Sequence, residues 1–577
     1  MFDLKITNGT IVDGTGAPAW VGDIAIEDGL LVAMGPSVAG DAAEIIDATG
    51  LIVTPGFVDI HTHYDGQATW DQVLDPSASH GVTTVVVGNC GVGFAPVRPG
   101  REQWLVELME GVEDIPGTAL HEGIQWDWET FPEYLDALAA REYSMDVAAF
   151  VPHAPLRVYV MGDRGALDVE PTPTEIEQMA EHVRASIEAG AIGVSTSRSL
   201  NHRTLDGELV PGTFANSTEL VALAQAMVDG GGGLFEAVPT GETGDDEKTV
   251  LDEIALLAEV SMRTNAPVSF LMIQSMGAPD LWETQLAAVA DANRRGATLV
   301  PQVAARPGGM LIGVATYHGL MRRPTFRRLE AELSYDELLV ELRKPEVKAA
   351  ILAEENLPAD PDRQYESIAD NTAHMFERLY ALGDPPDYDP PRERSIAGIA
   401  EASGMDPWEV LYDSIADGEL LLGAFTNYAT GTQDHLEVML THPDTVIGLS
   451  DGGAHVRFIC DASMPTYLLT HWTRDRVRGG RLPIESVIRK QSALTAETVG
   501  LTDRGTLEIG KRADINVIDL EALRLHPPRP CDDLPAGGRR ILQDASGYVA
   551  TIVRGVVTRR SDVDTGARPG RLVRAVH

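Results

Sequence analysis

A chain of 577 residues with 44% apolar and 23% charged residues has the make-up of a large globular protein, not a disordered or fibrous one. Its formal charge of −42, from 87 acidic against 45 basic residues, repels polyphosphate and argues against nucleic acid or an anionic membrane as the main partner. No run of about 20 apolar residues offers a membrane span, and the three cysteines (Cys90, Cys460, Cys531) form no disulfide framework, so a reducing cytoplasm is the expected compartment. The acidic excess reads as a solvated surface and implies nothing about the charge of a substrate.

The chain opens Met1-Phe-Asp-Leu-Lys-Ile-Thr-Asn-Gly-Thr10, with no basic stretch ahead of an apolar core. It reads as a strand running into an Asn-Gly turn, not as a signal peptide. Up to about residue 54, strand-like segments at 4–7, 10–12 and 23–26 alternate with turns rich in Gly and Asp. The far end has the same character, with apolar runs at 514–519 and 548–557. Residues 1–54 and 501–577 are therefore expected to build one small β-rich domain from both termini. Between them, residues 55–500 alternate strands with amphipathic helices such as 173–189 and 216–229, the pattern of a parallel α/β barrel. The strand candidates are 57–60, 82–87, 147–151, 192–195, 234–238, 268–273, 298–302 and 446–449, the eight that a TIM (β/α)8 barrel needs. The gap between the last two is too long for one connection. It predicts a mostly helical insertion at about 307–440, whose Pro- and charge-rich part, 356–394, is a candidate lid or surface excursion.

The segment Pro55-Gly-Phe-Val-Asp-Ile-His61-Thr-His63 carries the sharpest chemistry. In an extended chain positions i and i+2 share a face, so His61 and His63 can converge on one borderline cation such as Zn²⁺. The last strand runs into Ser450-Asp451-Gly-Gly-Ala-His455. An aspartate there can touch the metal and take a proton from activated water, which gives Asp451 a catalytic as well as a ligand role. The alternative for this segment is a plain Asx turn. His455 can orient substrate or pack within the turn.

Together these residues resemble the amidohydrolase superfamily and, within it, the N-acyl-D-amino-acid deacylase (D-aminoacylase) branch. The resemblance covers nearly the whole chain: Ile11-Val-Asp-Gly-Thr-Gly16, the 55–63 run, Val87-Gly-Asn-Cys-Gly91, Ser450-Asp-Gly452, Asp503-Arg-Gly-Thr-Leu507 and Gly510-Lys-Arg-Ala-Asp514. It implies a zinc-dependent hydrolase of a non-peptide carbon–nitrogen bond in a small-molecule amide. It also implies that Cys90 is a zinc ligand, where many relatives use a carbamylated lysine; a buried cysteine can equally be a small apolar residue.

The chain departs from the family at several points. The family's two further histidine ligands, after the fifth and sixth strands, align with Val238 and Phe270, neither of which binds metal. Glu236 shares strand parity with Val238 and can point inward as a substitute, or lie buried against an arginine; Gln274, in parity with Phe270, is a poor zinc ligand. One zinc ion is therefore expected, held by His61, His63 and Asp451 with Cys90 or Glu236 nearby, and a second ion is not. The family's Pro-Tyr segment after strand seven reads Pro301-Gln302 here, which removes a substrate-holding phenol. Substrate contacts are expected instead from Gln302, from Arg306 or Arg457 as a carboxylate fork, and from His202, Arg203 and His455. Structural roles remain open for each arginine, and His153 reads as a buried histidine. Amide hydrolysis leads; a cyclic amide or other acyl bond, or a barrel that binds without catalysis, are the alternatives. The oligomeric state stays open, with a homo-oligomer among the options.

Overall fold

Eight strands that the apolar runs predict are present, and all of them pair in parallel. The computed structural model describes every residue except Asp168, 242–245, 361–365 and 576–577. The strands are β1 (Phe57–Asp59), β2 (Val82–Val87), β3 (Asp146–Ala149, resumed at Val151–Pro152), β4 (Gly193–Ser197), β5 (Leu234–Val238), β6 (Val268–Leu271), β7 (Leu299–Val303) and β8 (Val446–Ile447). Each pairs with the next in chain order, β3 reaching β4 through Val151–Pro152. Just beyond β1 and β8, a parallel bridge joins Thr62 to Gly452. Every residue of β2 and β5 is buried, as expected of parallel strands covered on both faces. β8 is shorter than its apolar run because Leu449 and Asp451 turn to positive φ (65° and 47°) and leave the ladder.

The helices between the strands start where their caps dictate. Thr172 and Glu175 form a capping box ahead of Pro173–Glu188, with a proline in its first turn, and Asn216 caps Ser217–Asp229. Among the described residues no helix is long and apolar enough to cross a membrane.

Both ends of the chain enter one nine-stranded sheet, in which Ile52–Pro55 pairs with Ile515–Ile518. Leu4, Ile6, Ile24, Ile515, Val517 and Ile552 share one apolar cluster there. Two local readings are corrected. Residues 4–7 and 10–12 are not separate strands but one, Phe2–Ile11, in which Asn8 (φ 60°) forms a bulge instead of a turn. The run 548–557 is a hairpin, Tyr548–Val553 and Val556–Arg560, because Arg554 and Gly555 both take positive φ.

The stretch between β7 and β8 is also less helical than expected. Helices such as Pro324–Glu332, Tyr335–Leu342 and Pro407–Ala416 pack around their own core, including Phe326, Leu342, Ile351 and Leu411. They accompany a three-stranded antiparallel sheet of Gly308–Ile312, Leu421–Thr426 and Leu379–Ala381. Of the expected lid segment, 361–365 lie outside the described residues. Its described part is not a loose excursion: Tyr388 and Asp389 are buried, and Arg478 binds the Asp389 carboxylate at 3.3 Å.

Candidate metal centre and substrate cavity

The carboxyl ends of β1, β2 and β8 bring His61, His63, Cys90 and Asp451 together. Nε2 of His61 lies 3.3 Å from Cys90 Sγ, and Nε2 of His63 lies 3.7 Å from the same sulfur. From the β8 side, Asp451 Oδ1 stands 3.4 Å and 3.9 Å from those two nitrogens. His61, His63 and Cys90 form the tight cluster, all buried, and the Asp451 side chain keeps 27% exposure. Local backbone makes this possible. The β8 loop presses on His63, whose N–H donates to Gly452 O at 2.7 Å. A Cβ on Gly453 (φ 92°) would fall 2.9 Å from the His63 carbonyl carbon. Cys90, Asp451 and His455 all hold positive φ, a conformation that costs free energy in non-glycine residues and that functional sites tend to retain.

A further layer fixes these side chains. His61 Nδ1 donates to Gln302 Oε1 at 2.9 Å, which leaves Nε2 as the free lone pair. The Gln302 amide is held in turn by Ser269. Glu236 accepts the Cys90 N–H at 3.1 Å and lies 4.0 Å from His61 Nδ1, behind the cluster and not within it. Glu113 faces His63 Nδ1 at 3.4 Å with one oxygen and His455 Nε2 at 3.7 Å with the other. Asp59 accepts from Ser450 Oγ, tying β1 to β8.

Burial controls the protonation states. Desolvation lowers His61 to about 4 and His63 well below its ordinary value, so both imidazoles are neutral and able to ligate near pH 7. Desolvation raises Asp451 and Asp65 to about 7 and Glu236 to about 8, and pushes Glu113 well up. Burial, then the charges of Glu236 and Glu113, also push the Cys90 thiol up. Among the described residues, none of these four carboxyl groups pairs with a lysine or arginine.

A divalent cation suits this set. Donors at zinc distances of about 2.0–2.3 Å on one tetrahedral ion stand about 3.3–3.8 Å apart, close to the separations above. Glu113 Oε1, Glu236 Oε1, Asp65 Oδ2 and His63 Nδ1 are buried without a hydrogen-bond partner, a costly arrangement that nearby positive charge would offset.

Beside the cluster opens a cavity of about 580 Å³, whose lining includes Asp451, His455 and His202 and, from the stretch between β7 and β8, Met310, Arg378, Phe425 and Thr426. His202 is anchored to Ser197 Oγ at 2.9 Å. Four residues expected at the substrate are committed elsewhere. Gln302 is buried against His61 and does not line the cavity. Arg306 is buried in an ion pair with Asp461 at 2.9 Å, its guanidinium 3.9 Å from the Tyr388 ring centroid. Arg457 binds Asp114, with Nε at 2.7 Å from its carboxylate. Arg203 donates to Gly207 O at 2.7 Å within its own exposed loop. His153, between Thr196 Oγ1 and Glu219, is buried as expected, bonded to side chains and not to backbone. Val238 lines the cavity and Phe270 is buried, so neither offers a donor at the lost histidine positions.

Sequence reasoning missed Glu113 and Arg378. Glu113 carried a signal: it follows Leu105 and Met109 at four-residue spacing on the buried face of helix Glu102–Glu113, where a carboxylate is out of place. Arg378 carried none, being one charge among many in the insertion.

A buried nitrogen–sulfur–carboxylate cluster at the carboxyl ends of parallel strands, opening onto a cavity, defines the class as a metal-dependent α/β protein. Comparison with known proteins gives the family. Residues 44–559 match the amidohydrolase family, and the chain belongs to it. Its relatives include the D-aminoacylase of Alcaligenes xylosoxydans xylosoxydans, 26% identical over 99% of this chain and 97% of that one. The N-acyl-D-glutamate deacylase of the same organism is 26% identical over 99% and 96%, and an uncharacterized protein of Mycobacterium tuberculosis is 28% identical over 90% and 84%. In three dimensions the N-acyl-D-glutamate deacylase of Bordetella bronchiseptica, solved with zinc and a phosphonate mimic of the tetrahedral intermediate, superposes with a TM-score of 0.64 at 24% identity, covering both chains fully. D-aminoacylase gives 0.65 at 22%, again over both whole chains. The fold is shared with both.

Proposed function

We propose that the protein hydrolyses the amide bond of a small N-acylated compound, in the manner of an N-acyl-D-amino-acid deacylase, with one zinc ion held by His61, His63, Cys90 and Asp451. The convergence of two neutral imidazoles and a thiol at ligand-to-ligand spacing, with Asp451 Oδ1 3.4 Å and 3.9 Å from the two imidazole nitrogens, carries this reading. The successive parallel pairings and the Thr62–Gly452 bridge support a closed TIM barrel spanning about residues 55–500. An insertion at about 307–440 and a β-rich domain from residues 1–54 and 501–577 complete the proposed organisation.

Bound zinc would supply Lewis acidity toward the carbonyl oxygen and lower the pKa of water. The residues supply the rest. Gln302 holds His61 by Nδ1, keeping its Nε2 aimed at the centre, Glu113 stands 3.4 Å from His63 Nδ1, and Glu236 fixes the Cys90 backbone. Asp451 turns Oδ1 to the histidines, so proton traffic falls to Oδ2. With its carboxyl raised to about 7, this oxygen can take a proton from the attacking water and return it to the departing nitrogen. His202 and His455, both lowered by burial, to about 3 and about 4, face the cavity as neutral hydrogen-bonding groups for the substrate.

The test is elemental analysis and N-acyl-D-amino-acid hydrolysis by wild type and His61→Ala. Wild type should carry about one zinc per chain and turn over. His61→Ala should lose most of both while keeping its thermal unfolding midpoint within a few degrees. A variant that hydrolyses the amide unimpaired would refute the proposal.

A further inference from the structure

We infer that Arg378 is the anion anchor of the cavity, so that the substrate is an amide with a single negatively charged group on an otherwise apolar body. This rests on the hydrolytic reading above and adds the substrate's chemistry to it.

Arg378 is the sole lysine or arginine among the described residues lining the cavity. Apolar side chains, among them Leu271, Ile273, Met276, Met310, Phe425 and Phe458, make most of the remaining wall. The other charges there are accounted for: Asp461 is neutralised by Arg306, and Asp451 faces the metal cluster. Arg306 and Arg457, the obvious candidates for gripping a carboxylate, are locked by Asp461 and Asp114. Among the described residues the half-buried Arg378 side chain has no hydrogen-bond or ion-pair partner.

Its position is nonetheless built. Arg378 immediately precedes strand Leu379–Ala381, which pairs with Leu421–Thr426 and, through it, with Gly308–Ile312. Met310, Phe425 and Thr426 of that sheet line the cavity beside it. The insertion thus presents one guanidinium in a largely apolar wall, on different elements from the metal cluster. A planar fork of donors with no protein acceptor, next to apolar surface, is suited to a carboxylate from the ligand. A second acidic group on the substrate would find no second lysine or arginine among the described residues lining the cavity, only neutral side chains and carboxylates, which disfavours it.

The discriminating substrates are N-acetyl-D-phenylalanine, its carboxamide and N-acetyl-D-glutamate, given to zinc-loaded wild type, Arg378→Met and Arg378→Lys. Wild type should favour the phenylalanine acid by at least about 10-fold in kcat/KM over the other two. Arg378→Met should raise KM for that acid at least about 10-fold, with kcat within about twofold and no effect on the carboxamide, and Arg378→Lys should recover part of the loss. Equal kcat/KM for acid and carboxamide, or an unchanged KM in Arg378→Met, would overturn the inference. Calorimetric binding of the acid separates the two readings: without turnover by wild type, affinity lost in Arg378→Met still supports the anchor while the hydrolase reading fails, and affinity kept there sinks the anchor.

Discussion

In the proposed mechanism Asp451 does two things at once, and its surroundings allow one carboxylate to do both. One oxygen lies near two imidazole nitrogens, while part of the side chain remains open to the cavity. Asp451→Asn keeps the shape and an oxygen for that contact but removes the proton acceptor. We expect kcat to fall about 10²–10⁴-fold with bound zinc above half of the wild-type content, read by steady-state kinetics and elemental analysis. Full activity in a zinc-loaded Asp451→Asn would dismiss the proton role. At this scale the sequence was informative wherever backbone geometry alone dictates convergence. His61 and His63 lie two apart at the end of β1, Cys90 follows its paired strand β2, and Asp451 follows β8, which the Thr62–Gly452 bridge brings to β1. It was uninformative about arginines, because a guanidinium reaches far and its partner decides its role. Asp461 and Asp114, distant in the chain from each other, are what withdraw Arg306 and Arg457 from the cavity.

Helix Glu102–Glu113 shows how an element outside the parallel strands shapes the site. Its last residue enters the buried layer, and its two carboxylate oxygens face a metal-cluster histidine and a cavity histidine. The Glu113 carbonyl also accepts the His455 backbone N–H, and Asp114 takes Arg457, so the β8 loop is clasped at three points. Removing an outer-layer carboxylate of this kind weakens metal binding by about 10–100-fold. Glu113→Ala should therefore raise the zinc dissociation constant by that factor. Glu113→Gln, which keeps an acceptor for His63 Nδ1, should lose less. Identical zinc affinity in Glu113→Ala and wild type, measured by chelator competition, would show that the helix end is merely packed there. The inner strands were legible because short, mostly apolar or β-branched runs such as 82–87 and 234–238, with no polar alternation, need both faces covered. The insertion sheet was not: Gly308–Ile312 and Leu421–Thr426 are more than 100 residues apart, and antiparallel pairing at that separation leaves no periodic trace.

Across the whole molecule, buried histidines and buried carboxyl groups pull stability in opposite directions with pH. Desolvation lowers His80 and His435 to about 4 and His318 to about 3. The unfolded chain therefore takes up protons below about 6.5 that the folded chain refuses, and stability falls with acidification. Asp114, raised to about 7, and Asp389 and Asp461, raised to about 6, act the other way. The folded state protonates them first, so acidification through that range adds stability. A bare stability–pH curve mixes both signs, and a single-site comparison is needed. His80 suits it, since it welds the segment after β1 to the carboxyl-terminal sheet: Nε2–H donates to the Gln543 carbonyl, Nδ1 meets Thr466 Oγ1, and Tyr548 OH donates to its backbone oxygen. Its contribution is complete above pH 6.5 and lost as pH falls toward 4. At about 1.4 kcal/mol per pH unit, moving from pH 7 to pH 4.5 should cost wild type roughly 2–3 kcal/mol through this residue alone. His80→Gln keeps a donor and an acceptor but cannot titrate, so it should be less stable than wild type at pH 7 and close most of that gap at pH 4.5. Urea unfolding at the two pH values measures both. A gap that stays constant would mean that His80 is protonated alike in the folded and unfolded chain, and that its burial does not set its charge.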